Sequence, residues 1–147
     1  MKEAFELLPL AHSHLLEVAE IERLCFSEPW SEKSLELLLG ELGFGVVCLM
    51  GGRVVAYGGM MIALDEGQVT NIAVHPDYRR QGLGRAVTEA LLQAARERKL
   101  EQIALEVRVS NEAAIALYKA LGFESVGRRK NFYRHPSEDA LVMVKTI

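Results

Sequence analysis

The chain has 147 residues, of which 50% are hydrophobic and 25% charged, and its 17 basic and 20 acidic side chains give a formal net charge of -3. This length predicts a single domain over residues 1–147 that buries enough surface to fold without disulfides or metals. The composition excludes low-complexity and intrinsically disordered chains, and the acidic balance argues against a dedicated nucleic-acid binder.

The first part of the chain predicts a short strand followed by two helices. Phe5–Pro9 can form the strand, and apolar residues then recur at helical spacing from Ala11 to Phe26. The segment Pro29-Trp30-Ser31 interrupts this pattern, and Ser31 is placed to cap a second helix that continues to Leu42. The leucines of that helix expected to face inward are Leu35, Leu38 and Leu39.

The apolar stretch Gly43–Leu64 predicts a β-hairpin, although a membrane-spanning helix needs only roughly 20 apolar residues. Its single charge, Arg53, lies at the centre, where insertion into a bilayer would cost about 2.5–3.5 kcal/mol. Gly51-Gly52 directly before Arg53 is typical of a hairpin turn, and the valines on either side favour strands. We therefore expect two buried strands joined by a turn and no membrane partner.

The middle of the chain predicts a strand, a strongly amphipathic helix and another strand. The first strand covers Gln68–Val74. A glycine loop then leads into a helix that continues to about Lys99. In the next strand, Gln102–Val109, alternate residues are apolar, and Glu106 points to the opposite face.

The last part of the chain predicts a short helix and two strands. Ser110 or Asn111 is placed to cap the helix, which continues to Leu121 and ends at Gly122. Strands follow near residues 124–133 and 140–146. The resulting order, β-α-α-β-β-β-α-β-α-β-β, predicts a mixed α/β sheet of about seven strands with helices on both faces.

The cysteines and histidines form no recognisable disulfide or metal pattern. Cys25 and Cys48 are far apart and no CxxC pair occurs, so we expect two buried, reduced thiols. His12 and His14 are two residues apart, which on a helix directs their side chains to different sides. We therefore expect no metal site. No basic segment followed by an apolar core opens the chain, which predicts a cytoplasmic protein.

The glycine loop before the amphipathic helix carries the strongest chemical signal and reads Arg79-Arg80-Gln81-Gly82-Leu83-Gly84-Arg85. Glycines let a ligand approach the backbone closely, and the first amides of a helix lack intrahelical partners. With the helix dipole and the arginines, these amides form an anion site suited to a pyrophosphate. The alternative is an ordinary helix start with surface arginines. No Gly-Lys-Ser/Thr follows, which excludes a Walker loop, and Val87 replaces the third glycine of a dinucleotide fingerprint.

The motif Arg79-x-x-Gly82-x-Gly84 after Asn71–Val74 resembles the acetyl-CoA signature of the GNAT N-acetyltransferases. Further matching motifs follow one another along nearly the whole chain: Trp30–Lys33, Leu105–Arg108, Asn111–Tyr118, Leu121–Phe123, Tyr133 and Glu138–Ala140. Together they resemble the RimI branch, which acetylates the N-terminal alanine of a small-subunit ribosomal protein (number eighteen). The resemblance implies the GNAT fold, a mixed, mostly antiparallel sheet of about seven strands with a splayed central cleft.

The resemblance also implies acetyl-CoA as cosubstrate. The strand residues expected to pair through their backbone with the pantetheine arm and the thioester carbonyl are Ile72, Ala73 and Val74. The loop residues expected to hold the pyrophosphate, mostly through backbone amides, are Arg80, Gln81, Gly82, Leu83, Gly84 and Arg85. Asn111 is expected to touch the cosubstrate, to cap its helix, or to do both.

Two catalytic residues are implied in the same way. Glu106 is expected to be the general base, taking a proton from the acceptor ammonium directly or through a water, and its alternative is a solvent-facing carboxylate. Tyr118 is expected to be the general acid that protonates the departing CoA thiolate, and its alternative is a core tyrosine with a satisfied hydroxyl. Neither cysteine matches a catalytic pattern, so the amine is expected to attack directly in a ternary complex.

The acceptor side is expected to include Tyr133, next to Phe132, where relatives in this branch carry a second tyrosine. Trp30 either stacks at the same entrance or anchors its loop. The expected partner is a protein N-terminus, that of a ribosomal protein, with no direct nucleic-acid contact and with the enzyme a monomer or weak dimer. Open alternatives are another protein N-terminus, a lysine side chain, a small-molecule amine, and a non-catalytic acetyl-CoA-binding module.

Overall fold

A computed structural model of the chain describes residues 4–147. Met1–Glu3, the start of the segment in which we expect no secretion signal, lie outside the described residues. The strands are β1 (Glu6–Pro9), β2 (Gly43–Met50), β3 (Arg53–Ala63), β4 (Glu66–Val74), β5 (Gln102–Arg108), β6 (Glu124–Tyr133) and β7 (Glu138–Thr146). The α-helices are α1 (Leu15–Cys25), α2 (Glu32–Leu35), α3 (Leu83–Glu97) and α4 (Glu112–Ala120), and 3₁₀ turns cover His12–His14, Glu36–Leu39 and Pro76–Tyr78.

The strands form one seven-stranded sheet in the order β1-β2-β3-β4-β5-β7-β6. All neighbouring strands are antiparallel except β4 and β5. The predicted order of elements and the mixed, mostly antiparallel sheet are both confirmed.

Helices cover both faces of the sheet, as predicted. On one face, α3 buries an apolar stripe that includes Leu83, Val87 and Leu91. On the other face, α1 and α2 bury a second cluster, whose helical members are Leu15, Val18, Ala19, Ile21 and Leu35. The central strands of the sheet are therefore desolvated on both faces, which matches their apolar composition.

The stretch Gly43–Leu64 forms the predicted hairpin. β2 and β3 pair along their length, and Gly51 and Gly52 join them with φ values of 58° and 78°. Glycine adopts this left-handed conformation without strain, which explains the residue type at the turn. Within residues 4–147, no helix has the length and apolar character needed to cross a bilayer.

The helix predicted from Ser31 to Leu42 is shorter than expected. Ser31 does cap it, since its hydroxyl oxygen accepts the Ser34 N–H at 3.1 Å. The α-helical geometry ends at Leu35 and changes to a 3₁₀ turn that ends at Leu39. With three residues per turn, Leu38 lies above Leu35 and both are buried. Leu39 is rotated outward and is 39% exposed, so its predicted inward orientation is wrong.

The parallel strands β4 and β5 separate soon after they begin. Their pairing joins Glu66–Gln68 to Gln102–Ala104 and goes no further. β4 continues to Val74 with β3 on its other edge, and β5 continues to Arg108 with β7 on its other edge. No described strand lies between the facing edges of Val69–Val74 and Leu105–Arg108. This opening is the splayed cleft that the resemblance implied.

Candidate active site

The cleft edge of β4 presents the backbone of Ile72 and Val74. The His75 N–H donates to the Val55 carbonyl at 2.8 Å, and the same register pairs Ala73 with Tyr57. Backbone groups alternate between the two edges of a strand, so the N–H and C=O of Ala73 are directed to β3. Of the three predicted cosubstrate residues of β4, Ile72 and Val74 therefore direct their backbone groups into the cleft.

The end of β4 is held by two side chains. The Val74 carbonyl accepts hydrogen bonds from Arg79 Nε at 3.2 Å and from Cys25 Sγ at 3.4 Å. Cys25 is half-buried rather than buried as predicted, because it is the last residue of α1 and faces this loop. Burial raises the pKa of its thiol, although Arg79 beside it acts in the opposite direction. Cys48 in β2 is buried as predicted, and both cysteines are free.

The glycine loop leaves the start of α3 open. Gly82 is the N-cap, with φ 79° in the left-handed region, and no side chain caps the helix. A Cβ on Gly82 would meet nothing within 4 Å, so the backbone conformation, and not the available space, favours glycine here. The first amides of α3 have no capping side chain within the described residues, which suits an anion at this position.

The loop arginines differ in their surroundings. Arg80 has φ 65°, which continues the left-handed turn before Gly82. Arg85 forms an exposed ion pair with Glu89, one helical turn along α3, at 3.0 Å. A pyrophosphate at the helix start would therefore compete with Glu89 for the Arg85 guanidinium. The backbone amides remain the main donors of the loop.

Glu106 lies in β5 two residues beyond the last β4–β5 pair, at the fork of the cleft. Its Oε2 accepts a hydrogen bond from Gln68 Nε2 at 3.0 Å, and its Oε1 lies 3.4 Å from Arg129 Nε. The side chain is 15% exposed. The carboxylate is therefore enclosed rather than solvent-facing, and one hydrogen bond and one ion pair hold it in place.

Sequence reasoning missed Gln68 and Arg129. Gln68 opens the predicted strand Gln68–Val74, and Arg129 lies in an edge strand in which nearly every residue is exposed. Neither position departs from an ordinary strand pattern. Their contact with Glu106 depends on the pairing of strands that are distant in sequence, which periodicity does not reveal.

Tyr118 lies on the buried face of α4 and is 8% exposed. Its ring centroid is 5.7 Å from that of Phe123, and burial raises the pKa of its phenol to about 12. No group in residues 4–147 forms a hydrogen bond with its hydroxyl. A core tyrosine normally has a satisfied hydroxyl, and this hydroxyl has no such partner among the described residues.

Asn111 caps α4, because its Oδ1 accepts the Ala114 N–H at 3.2 Å. The predicted cap is thus confirmed, whereas Ser110 donates its own N–H to Glu138 Oε2 at 2.7 Å. A second contact from Asn111 to the cosubstrate stays a prediction.

Tyr133 ends β6 close to the cleft. The Arg108 guanidinium lies 4.5 Å from its ring centroid. Burial raises the pKa of the Tyr133 phenol to about 12, and the nearby negative charge of Glu106 adds to this. Phe132 makes an edge contact with Tyr133 at 5.0 Å and is 45% exposed. Tyr133 therefore lies on the Glu106 side of the cleft.

Trp30 borders a surface cavity of about 330 Å³ lined by Pro29, Trp30, Ser31, Ser34 and Leu37. The loop that contains it also touches the turn after β6, because the Ser27 hydroxyl donates to the Arg134 carbonyl at 3.0 Å. The two segments predicted to form the acceptor side are thus in contact with each other.

Glu22 is the most extensively bonded side chain that we did not predict from the sequence. It lies on α1 with 0% exposure, and its carboxylate accepts hydrogen bonds from Tyr57, Asn71 and the backbone of Trp30. The signal was present: Glu22 occupies a position of the apolar helical stripe, where a charge is unexpected.

In the part of the chain that the structure describes, no group of three His, Cys, Asp or Glu side chains is arranged to hold a metal ion.

Comparisons with known proteins agree over most of the chain. The model of the acetyltransferase (GNAT) family matches residues 15–123. The [ribosomal protein bS18]-alanine N-acetyltransferase of Escherichia coli (strain K12) is 42% identical over 129 residues, which cover 86% of this chain and 87% of the relative. The crystal structure of the ribosomal-protein-S18-alanine N-acetyltransferase from Escherichia coli superposes with a TM-score of 0.91 at 38% identity, covering 98% and 94% of the two chains. An N-acetyltransferase from Thermoplasma acidophilum, PaiA, solved in complex with coenzyme A, shares the fold with a TM-score of 0.79 at 13% identity, covering 98% and 99%.

Proposed function

The chain belongs to the acetyltransferase (GNAT) family and is an acetyl-CoA-dependent N-acetyltransferase, and on this basis we propose that it acetylates the N-terminal alanine of ribosomal protein bS18. The Escherichia coli enzyme named for that reaction is 42% identical to this chain in the sequence comparison and 38% identical in the comparison with its crystal structure, in each case over most of both chains. The observation that carries the proposal is the enclosed Glu106 carboxylate at the fork of the cleft, where a proton acceptor is needed.

Acetyl-CoA supplies a thioester, which is activated toward attack by an amine. We propose that Ile72 and Val74 bind its pantetheine arm as an added strand, with Ala73 keeping β4 in place through its pairing with β3. The uncapped start of α3 supports pyrophosphate binding by the predicted loop residues, from Arg80 to Arg85. The thioester oxygen gains negative charge during attack, and we propose that an N–H of the β4 edge stabilises it.

Glu106 then acts as the general base. An α-ammonium is no nucleophile until it loses a proton, and the Glu106 carboxylate accepts that proton directly or through a water. The amine nitrogen bonds to the acetyl carbon, and the CoA sulfur leaves with the electron pair. Tyr118, whose pKa of about 12 keeps the phenol protonated near neutral pH, donates a proton to that sulfur. Asn111, the N-cap of α4, is proposed to contact the cosubstrate as well.

Tyr133 and the loop with Trp30 form the proposed acceptor side. Their contact through Ser27 and Arg134 supports a shared wall. We further infer one N-acetyltransferase domain over residues 1–147, a cytoplasmic location, and action as a monomer or weak dimer. The net charge of -3 presents no general repulsion to a basic protein acceptor and argues against direct nucleic-acid binding.

The decisive experiment is mass spectrometry of ribosomal proteins after incubation with the enzyme and acetyl-CoA. We expect one acetyl group on the N-terminal alanine of bS18. A bS18 peptide with a chemically blocked N-terminus serves as control and is expected to remain unmodified. Acetylation of lysine side chains alone, or of no protein, would contradict the proposed acceptor and favour one of the alternative amines.

A further inference from the structure

Glu22 is a fully buried carboxylate that the proposed reaction does not use. A buried carboxylate is costly unless its oxygens are hydrogen-bonded. Within residues 4–147, the ion pairs include no Lys, Arg or His partner for Glu22. Burial raises its pKa, and only neutral donors act against this.

Four hydrogen bonds from three separate elements satisfy the Glu22 carboxylate. Its Oε1 accepts the Trp30 N–H at 2.8 Å and Asn71 Nδ2 at 3.2 Å. Its Oε2 accepts Asn71 Nδ2 at 3.0 Å and the Tyr57 hydroxyl. Loss of this carboxylate would leave several buried donors without a partner. The desolvation penalty of an unpaired buried donor exceeds the net stability that a single hydrogen bond contributes.

The donors belong to the two sides of the proposed site. Asn71 directly precedes Ile72, whose backbone faces the cleft, and Tyr57 pairs with Ala73 across β3 and β4. Trp30 starts the segment before α2 and borders the surface cavity. A single carboxylate on α1 therefore joins the cosubstrate strand to the acceptor-side loop.

We propose that Glu22 is a positioning residue that sets the separation between β4 and the Trp30 loop, and thereby the approach of the acceptor amine to the thioester. The inference rests on the proposed function, since it takes β4 as the cosubstrate strand and the loop as the acceptor wall. A displacement of about 1 Å can cost roughly 10²-fold in rate. Glu22 thus acts on the reaction through Asn71 and Trp30, without touching a substrate.

The first test is kinetic and uses Glu22→Gln, which keeps the side-chain size and turns one acceptor oxygen into a donor facing Tyr57 or Asn71. We expect kcat/KM for a bS18 N-terminal peptide to fall by roughly 10- to 100-fold. The affinity for acetyl-CoA, measured by calorimetry, is expected to stay unchanged. A loss of acetyl-CoA binding that accounts for the whole kinetic effect would overturn the proposal.

Glu17→Gln is the matched control. Glu17 lies on the same helix, and its Oε2 accepts the Val54 N–H of β3 at 3.0 Å, which ties α1 to the sheet without reaching Asn71 or Trp30. In this variant an uncharged amide oxygen accepts the Val54 N–H more weakly, so some loss of thermal stability is expected while kcat/KM stays at the wild-type value. If both variants lose activity in proportion to their loss of stability, Glu22 is merely structural and the proposal is wrong.

The second test needs no peptide substrate. Trp30 is the single tryptophan of the chain, so its fluorescence reports the loop directly. Glu22→Gln is expected to shift the emission to longer wavelength and to increase acrylamide quenching, whereas Glu17→Gln leaves both unchanged. Unchanged Trp30 fluorescence in folded Glu22→Gln would overturn the proposal. Failure of the bS18 peptide as a substrate would contradict only the proposed function.

Tyr57→Phe provides the same comparison if Glu22→Gln does not fold. It removes one donor, retains the ring in the core, and leaves the Asn71 and Trp30 bonds to hold the carboxylate. We expect the same directions of change in kcat/KM and in Trp30 emission, with smaller amplitude. Wild-type values of both quantities in folded Tyr57→Phe would count against the proposal.

Discussion

At the scale of single residues, the Glu106 carboxylate and the Tyr118 phenol have contrasting surroundings. Glu106 has a neutral donor on one oxygen and a cation near the other. Tyr118 is buried without a hydrogen-bond partner among the described residues, which suits its neutral form. These surroundings are compatible with the proposed roles of Glu106 as proton acceptor and Tyr118 as proton donor.

Glu106→Gln is expected to lower the rate of acetylation by roughly 10²-fold or more, the usual scale for one acid–base group. The amide retains the shape of the side chain but does not accept the proton of an ammonium. Steady-state kinetics with the bS18 peptide measure the rate, and calorimetry should show intact acetyl-CoA binding. Glu124→Gln, exposed at the start of β6, is the control. A wild-type rate in Glu106→Gln would remove the assignment of the base.

Tyr118→Phe is expected to reduce kcat about 10-fold, below the usual range for a general acid, because a thiolate leaves tolerably without help. The thermal midpoint should change little, since the hydroxyl has no hydrogen-bond partner in the described part of the chain. Stopped-assay turnover and thermal denaturation measure the two effects separately. Normal turnover with a large loss of stability would favour the alternative of a core tyrosine.

At the scale of elements, the glycine loop combines backbone strain with ligand access. Gly82→Val is expected to weaken acetyl-CoA binding, since a side chain at this left-handed N-cap hinders close approach of the pyrophosphate to the helix amides. Calorimetry gives the dissociation constant directly.

Gly52→Val is the matched control for the loop. Gly52 has φ 78°, against 79° at Gly82, and a Cβ at either position meets nothing within 4 Å. Both variants therefore carry the same backbone strain, but Gly52 lies in the β2–β3 turn. We expect similar losses of stability and a change in acetyl-CoA affinity only for Gly82→Val. Equal affinities in the two variants would place the phosphate site elsewhere.

Sequence patterns predicted most helices and strands because the interactions that form these elements involve residues close together in the chain. The Gly51-Gly52 turn, the Ser31 and Asn111 caps, and the stripe of α3 each follow from residues within one or two turns of chain. The 3₁₀ turn after Leu35 was missed, since leucines at this spacing fit either helix type. The splay of β4 and β5 followed only from the family resemblance, because sequence periodicity does not report strand separation.

The site was predicted in part for the same reason. Glu106, Tyr118 and the glycine loop belong to motifs that the chain carries in a contiguous form, although their chemical roles stay predictions. The contacts of Glu22 and Arg129 join segments that are far apart in sequence, and they arise only when the sheet is assembled. In the sequence, the charged residue Glu22 on the apolar stripe of α1 was the one feature that indicated this hydrogen-bond network.

At the scale of the whole molecule, the buried Glu22 couples folding to pH. Its pKa in the folded state is raised, so the folded protein binds this proton more tightly than the unfolded chain does. Its contribution to stability is fully present below the ordinary glutamate pKa of about 4.3 and is lost as pH rises through the folded value. Urea unfolding of wild type and Glu22→Gln at pH 5 and pH 7 measures this. We expect wild type to gain stability relative to the variant at pH 5, and an equal difference at both values would contradict the coupling.

Because β4 and β5 pair over a short length, a ligand bound in the cleft is expected to stabilise the folded protein. Within residues 4–147, three residue pairs of the β4–β5 ladder join the first four strands of the sheet to the last three. Acetyl-CoA bound along β4 as proposed would add hydrogen bonds at a strand edge that the polypeptide leaves unpaired. A ligand that binds only the folded state stabilises it by about 2.7 kcal/mol at 100 times its dissociation constant. That gain is expected to concentrate at the cleft edge of β4, so the amides of Ile72 and Val74 should exchange hydrogen with solvent far more slowly in the complex than in the free enzyme.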